Sequence, residues 1–100
     1  MSETAEVPAT ELGSMIVRTP GILGGKPHLR GHRIGVHRVA GWWKQGLTIE
    51  QLGEELPTLS SAEVFAALAY YHLNKAEIDS YLEEESAVGR ELERRKAPSS

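Results

Sequence analysis

The sequence predicts a mainly α, helix-turn-helix-like fold of three to four helices with a short N-terminal β element. Hydrophobic spacing switches at Val36 from short, glycine-punctuated runs to a helical period. Capping boxes, in which Ser, Thr or Asn precedes Glu or Gln by three residues, recur at Thr48–Gln51, Ser60–Glu63 and Asn74–Glu77. Gly46 and Pro57 fall at the ends of the segments so defined.

Taken in order, residues 1–14, MSETAEVPATELGS, are polar with one proline and are expected to form a disordered arm. MIVRTP is a β-favouring run stopped by Pro20, and HLR and RIGV are two further extended candidates separated by Gly31. Val36, Val39, Ala40 and Trp43 share one helical face and are expected to be core, which leaves the adjacent Trp42 near Arg38 and Gln45. The helix from the Thr48 box is expected to bury Ile49, Leu52 and Leu56, and the helix from the Ser60 box Val64, Phe65, Leu68 and His72. The helix from the Asn74 box carries Ile78, Tyr81, Leu82, Val88 and Leu92 on a broken stripe. Beyond Glu85 it is mostly charged and has little to bury in its own domain. The organisation expected is therefore a helix-turn-helix-like domain over residues 15–74, a partner-binding C-terminal helix over 75–96, and a disordered tail over 97–100.

At 100 residues the chain forms one domain at most, and such a chain buries only roughly 60–65 % of the surface its unfolded form exposes. A second copy or a partner would enlarge so thin a core. Its 40 % apolar and 25 % charged residues suit a soluble chain, and it has neither a membrane-spanning run nor a signal core. Cysteine is absent, so no disulfide scaffold is available. A cytoplasmic protein is expected, with no membrane partner.

Enzymatic motifs fail on inspection. A phosphate loop G-x-x-x-x-G-K-S/T built on Gly25 and Lys26 would need glycine and a hydroxyl where Pro20 and Pro27 stand. Gly21, Gly24, Gly25 and Gly31 are better read as suppliers of positive φ in tight turns. His28, His32 and His37 lack zinc-ligand spacing and are expected in a basic surface, so no metal or cofactor is expected. Glu83, Glu84 and Glu85 are consecutive on a helix and point in different directions, so they cannot form an acid/base pair.

Charge is strongly segregated. Residues 18–44 hold six bases and no acid, whereas residues 45–85 hold nine acids and one lysine. The basic half suits nucleic acid, with Lys26, Arg30, Arg33, Arg38 and Lys44 as candidate DNA contacts. Mutual neutralisation of the two halves within a dimer is the plainer alternative. The helix in the recognition position, SSAEVFAALAYYHLN, contains no Lys or Arg, so DNA contacts are expected from the basic segment and the first helix.

GGKPHLRGHRIGV is similar to the G-G-x-P-x-I/L-x-G-T-R-I/V-x-V signature of the domain-of-unknown-function family numbered four-three-three. GLTIEQLGEELPTLSSAEVFAALAYYHLN extends the likeness, to cover roughly residues 16–78. Members are described as predicted VapB-type antitoxins of type II toxin-antitoxin systems. The resemblance implies a small helix-turn-helix-like domain with a short β element, commonly a homodimer, beside a PIN-like ribonuclease toxin. His32 replaces the signature's threonine, and Gly35 stands where members of that family usually have proline. The function expected is toxin neutralisation with autoregulation through operator DNA. Ile78, Tyr81, Leu82, Val88, Arg90, Leu92, Arg94 and Arg95 are the candidate toxin contacts. A stand-alone DNA-binding regulator, or an interaction module without a toxin, is the alternative.

Overall fold

A computed structural model describes the backbone of residues 12–96 and the side chains of 12–88. A 3-10 turn at Leu12–Met15 leads into strand β1, Ile16–Val17, and a second such turn at Leu23–Gly25 precedes β2, His28–Leu29. Four helices follow: α1 Val36–Lys44, α2 Ile49–Glu55, α3 Ser61–Leu73 and α4 Lys75–Lys96. The mainly helical fold with a small N-terminal sheet is the one the sequence predicts. The arm expected over residues 1–14 differs at its end, because Leu12–Ser14 already belong to the first 3-10 turn. Residues 1–11 and 97–100 lie outside the described residues.

β1 and β2 are antiparallel, with Ile16 opposite Leu29 and Val17 opposite His28. Gly24 and Gly31, at φ 64° and 82°, reverse the chain on either side of β2, a left-handed backbone that side chains with a Cβ adopt only with strain. The extended run expected at RIGV shrinks to a single bridge, His28 to Gly35. The chain turns into α1 directly afterwards, with the Val36 N–H donating to Pro27 O at 3.0 Å.

Two of the three capping boxes form. The Thr48 hydroxyl accepts from the Gln51 N–H and the Gln51 side chain accepts from the Thr48 N–H; Ser60 and Glu63 repeat the exchange. Each box satisfies two backbone donors that a helix start leaves open. The Asn74 box does not form. Asn74 instead donates its side-chain amide to Tyr70 O at 3.1 Å, and Glu77 accepts from Arg18 and two tyrosines.

The core runs through the middle of this arrangement. Leu29 from the hairpin, Val36, Val39 and Ala40 of α1, Leu52 of α2, Val64, Ala67 and Leu68 of α3 and Ile78 of α4 are all buried. Trp43, expected in that core, is 37 % exposed, while Trp42 packs half-buried against it. The cause is the crossing of α4 over α1 at Gly41, where an added Cβ would lie 3.1 Å from Leu82. Cover therefore falls on the Gly41–Trp42 side of the last turn. Phe65, also expected in the core, is 55 % exposed, because α3 turns Val64, Ala67, Leu68 and Tyr71 inward and places Phe65 about 100° away from Val64. His72 is exposed rather than buried, and its Nδ1 donates to Leu68 O at 2.7 Å.

Candidate functional site

The histidines expected in a basic surface are largely interior. His28 is buried; its Nδ1 donates to the carbonyls of Leu29 and His32 at 2.9 and 2.8 Å, and its Nε2 meets the Thr19 hydroxyl at 2.8 Å. It thereby supplies a donor to the His32 carbonyl and a second one to the Leu29 carbonyl, which also accepts from the His32 N–H at 2.9 Å. His32 places Nε2 3.2 Å from the Glu63 carboxylate and so ties this turn to the start of α3. His37 is buried with Nε2 2.9 Å from Glu85. Its ring lies so close over Gly35 that an added Cβ would sit 2.4 Å from it. Glycine at 35 makes room for this ring, and histidine at 32, where the signature has threonine, makes the bridge to α3. Among the described residues no group of three or more His, Cys, Asp or Glu could hold a metal ion.

The basic residues divide into two sets. Arg18 binds Glu77, and it also donates to the Tyr70 hydroxyl at 2.9 Å. Lys44 lies 2.8 Å from Asp79, and Lys26 lies 3.9 Å from Glu84 with its ammonium 5.1 Å from the Tyr81 ring centre. These three cations hold the hairpin and α1 against α4. Arg30, Arg33 and Arg38 form the second set. All are exposed, and none makes an ion pair among the described residues. Arg30 and Arg33 line one cleft of about 470 Å³ with Thr19 and His32. Arg33 and Arg38 line the adjoining cleft of about 380 Å³ with Trp42 and Glu85. Arg33 lines both clefts, so the three arginines border adjoining parts of the surface, and Arg38 stacks 5.2 Å over the Trp42 ring. Such a planar guanidinium presents paired donors that match phosphate oxygens.

The expected partner-binding residues divide in the same way. Ile78 is fully buried in the domain's own core, and Tyr81 and Leu82 pack half-buried against it. These three dock α4, so Ile78 is a packing residue with no surface to offer a partner. Val88 is 59 % exposed. The side chains of Arg90, Leu92, Arg94 and Arg95 lie outside the described residues.

The polar cluster of Arg18, Tyr70, Glu77 and Tyr81 has no local signature in the sequence. Its only sequence signal is a basic residue and an acidic residue 59 positions apart, a separation that local patterning does not reach. Burial opposes ionisation of Glu77, but hydrogen bonds from Tyr81, Arg18 and Tyr70 outweigh it and hold the carboxyl below its usual range. The Ser60 backbone N–H foremost lowers Glu63, and Lys44 foremost lowers Asp79. A carboxyl lowered by folding stabilises the fold above its unfolded value, and the benefit disappears as pH falls through the folded one. The melting temperature should therefore be flat above about pH 5.5 and fall steadily below about pH 4.5, near the unfolded carboxyl values. Circular dichroism melts from pH 7 to pH 3 check this; a melting temperature unchanged at pH 3 would contradict it.

Hairpin, helices and arginine surface together define a small, mainly helical domain whose exposed arginines lie outside α3. The chain belongs to the family described as "Protein of unknown function (DUF433)", whose model matches residues 16–71. Among solved structures it is similar to the crystal structure of a DUF433 member protein from Anabaena variabilis ATCC 29413. The two share 33 % identity with a TM-score of 0.65, over 70 % of this chain and 69 % of that one. No curated protein matches the chain. The family match ends at Tyr71, before α4 begins. Among the described residues no helix is long and apolar enough to cross a membrane.

Proposed function

We propose that this chain is a non-enzymatic antitoxin, a cytoplasmic homodimer that neutralises a PIN-like ribonuclease toxin by direct contact and regulates its own operon by binding operator DNA. The observation that carries the proposal is the division of the basic side chains. Arg18, Lys26 and Lys44 are occupied by carboxylates of α4, whereas Arg30, Arg33 and Arg38 lie open along one surface. Exposed arginines without acidic partners neutralise phosphates at little desolvation cost, and the counterions they release drive the association. The DNA contacts thus come from the turn after β2 and the first turns of α1, while α3, which has no Lys or Arg, packs and pairs.

The toxin's share of the molecule is the far part of α4. A helix of 22 residues is about 33 Å long, yet its contacts with the core come from Ile78, Tyr81 and Leu82 in its first turns. Val88 and Leu92 continue the apolar stripe beyond that footing, and Arg90, Arg94 and Arg95 suit the acidic metal-binding carboxylates of such a nuclease. The experiment is rescue of growth in cells expressing the nuclease encoded beside this gene. The full chain should restore growth. A chain ending at Glu85 should not, although its domain retains Ile78 and the carboxylates that pair with Arg18, Lys26 and Lys44. Rescue by the shortened chain would overturn the assignment of α4.

A further inference from the structure

α3 carries two apolar stripes. Val64, Ala67, Leu68 and Tyr71 face the core, and on the outer side Ala62, Phe65, Ala66, Ala69 and Leu73 form a second stripe along the helix. Phe65 is 55 % exposed and Leu73 83 %. With Leu12 and Ile16 of the N-terminal segment, this stripe walls an open groove of about 520 Å³. Among the described residues the only side-chain polar group on the wall, the Tyr70 hydroxyl, is held by Arg18 and Glu77.

We infer that this outer face of α3 is the two-fold interface between two copies of the chain. The inference deepens the dimeric part of the function proposed above, and it names a surface separate from the arginines. Area is the first support. An aromatic side chain offers roughly 200 Å², so Phe65 alone leaves about 110 Å² open. With Leu73, Leu12 and the alanines, the face reaches on the order of 400–500 Å², the size that on a monomer marks an interaction site. A two-fold axis doubles it to roughly 800–1,000 Å², which at its upper end reaches the lower limit of a specific interface.

Charge is the second support. Among the described residues no Lys, Arg, Asp or Glu lines the groove, so these offer nothing to a phosphate backbone or a charged peptide. Two copies that each carry a net charge of −3 approach most easily where neither presents a charge. Shape is the third. Phe65 and Leu73 project, while Ala62, Ala66 and Ala69 leave the helix surface low beside the groove. One face therefore holds both the knobs and the holes that a self-complementary pairing requires. This pairing also gives a physical reason why a helix in the recognition position has no cationic side chains, and it leaves Arg30, Arg33 and Arg38 uncovered.

The chain has no cysteine, so a single introduced one is a clean reporter. Light scattering on the full chain at micromolar concentration should give the mass of a dimer. F65E combined with L73E should give a monomer with helical circular dichroism retained. Oxidised A69C should cross-link to a covalent dimer, and E54C, on the exposed side of α2, should not. A monomeric wild type overturns the inference, and so does a dimer that survives both glutamates. If the double variant fails to fold, A69C decides: efficient cross-linking supports the interface, and its absence overturns it. Loss of DNA binding with an intact dimer would instead count against the arginine surface. A monomeric chain that still neutralises the nuclease would remove this interface and leave the antitoxin assignment standing.

Discussion

Replacing Arg30, Arg33 and Arg38 together with alanine should weaken binding to the DNA directly upstream of this gene by at least roughly 100-fold at about 0.15 M salt. The magnitude follows from counterion release. Three lost phosphate contacts flatten the slope of log affinity against log salt by about 2.7 for each protomer engaged, and the loss shrinks as salt approaches 1 M. Lys26 and Lys44 provide the internal contrast, since both already face α4 carboxylates, Glu84 at 3.9 Å and Asp79 at 2.8 Å. Replacing them should cost less than about 10-fold, because a phosphate must first displace a carboxylate that is already in place. Fluorescence anisotropy over a salt series measures both effects. Equal losses from the two sets would remove the distinction on which the DNA surface is drawn. All three arginines are exposed and none is part of the core, so the triple variant should melt within a few degrees of the wild type.

Ile78→Ala should be the most damaging truncation in α4. Ile78 is fully buried, and removing a side chain of that size from a packed site costs about 2–5 kcal/mol. A small domain's total stability is on the order of 5–15 kcal/mol, so a substantial part of it is at stake. The structural reason is that Ile78 lies between two polar fastenings, Glu77 with Arg18 and Asp79 with Lys44, and supplies the apolar contact between them. Urea unfolding should show a lower midpoint, and amide exchange should quicken first over residues 75–88. A stability loss below about 1 kcal/mol would mean that α4 is held by its charges alone.

The parts of the fold that were legible in the sequence are those set by neighbours three or four residues apart. The boxes at Thr48 and Ser60 formed because each satisfies its helix start with its own side chains, whatever lies beyond. The Asn74 box failed because its third residue, Glu77, is claimed by Arg18 from the other end of the domain, together with Tyr70 and Tyr81. Trp43 obeyed the periodicity of α1 and still lost its cover, since the position of α4 is fixed at Gly41 and no pattern within α1 reports it. The misplacement of Phe65 had a readable sign. α3 is apolar nearly all round, and a helix of that kind needs cover on more than one side.

Among the candidate site residues, the basic stretch reads in the sequence as one undivided set. Arg30, Arg33 and Arg38 differ from Lys26 and Lys44 only through carboxylates more than 30 positions away on α4, which sequence proximity does not reveal. His28 and His37 were grouped with the arginines beside them. His28 is interior because the His32 carbonyl in the turn after β2 takes its donor from the imidazole, and His37 because Gly35 leaves space for its ring.

Titration of the purified full chain into an RNA-cleavage reaction run by the proposed PIN-like toxin tests the central claim most directly. Cleavage should fall in proportion to added chain and cease at a fixed, near-stoichiometric ratio, while a chain ending at Glu85 leaves the rate unchanged. Cleavage that continues undiminished in excess full-length chain would contradict the antitoxin function.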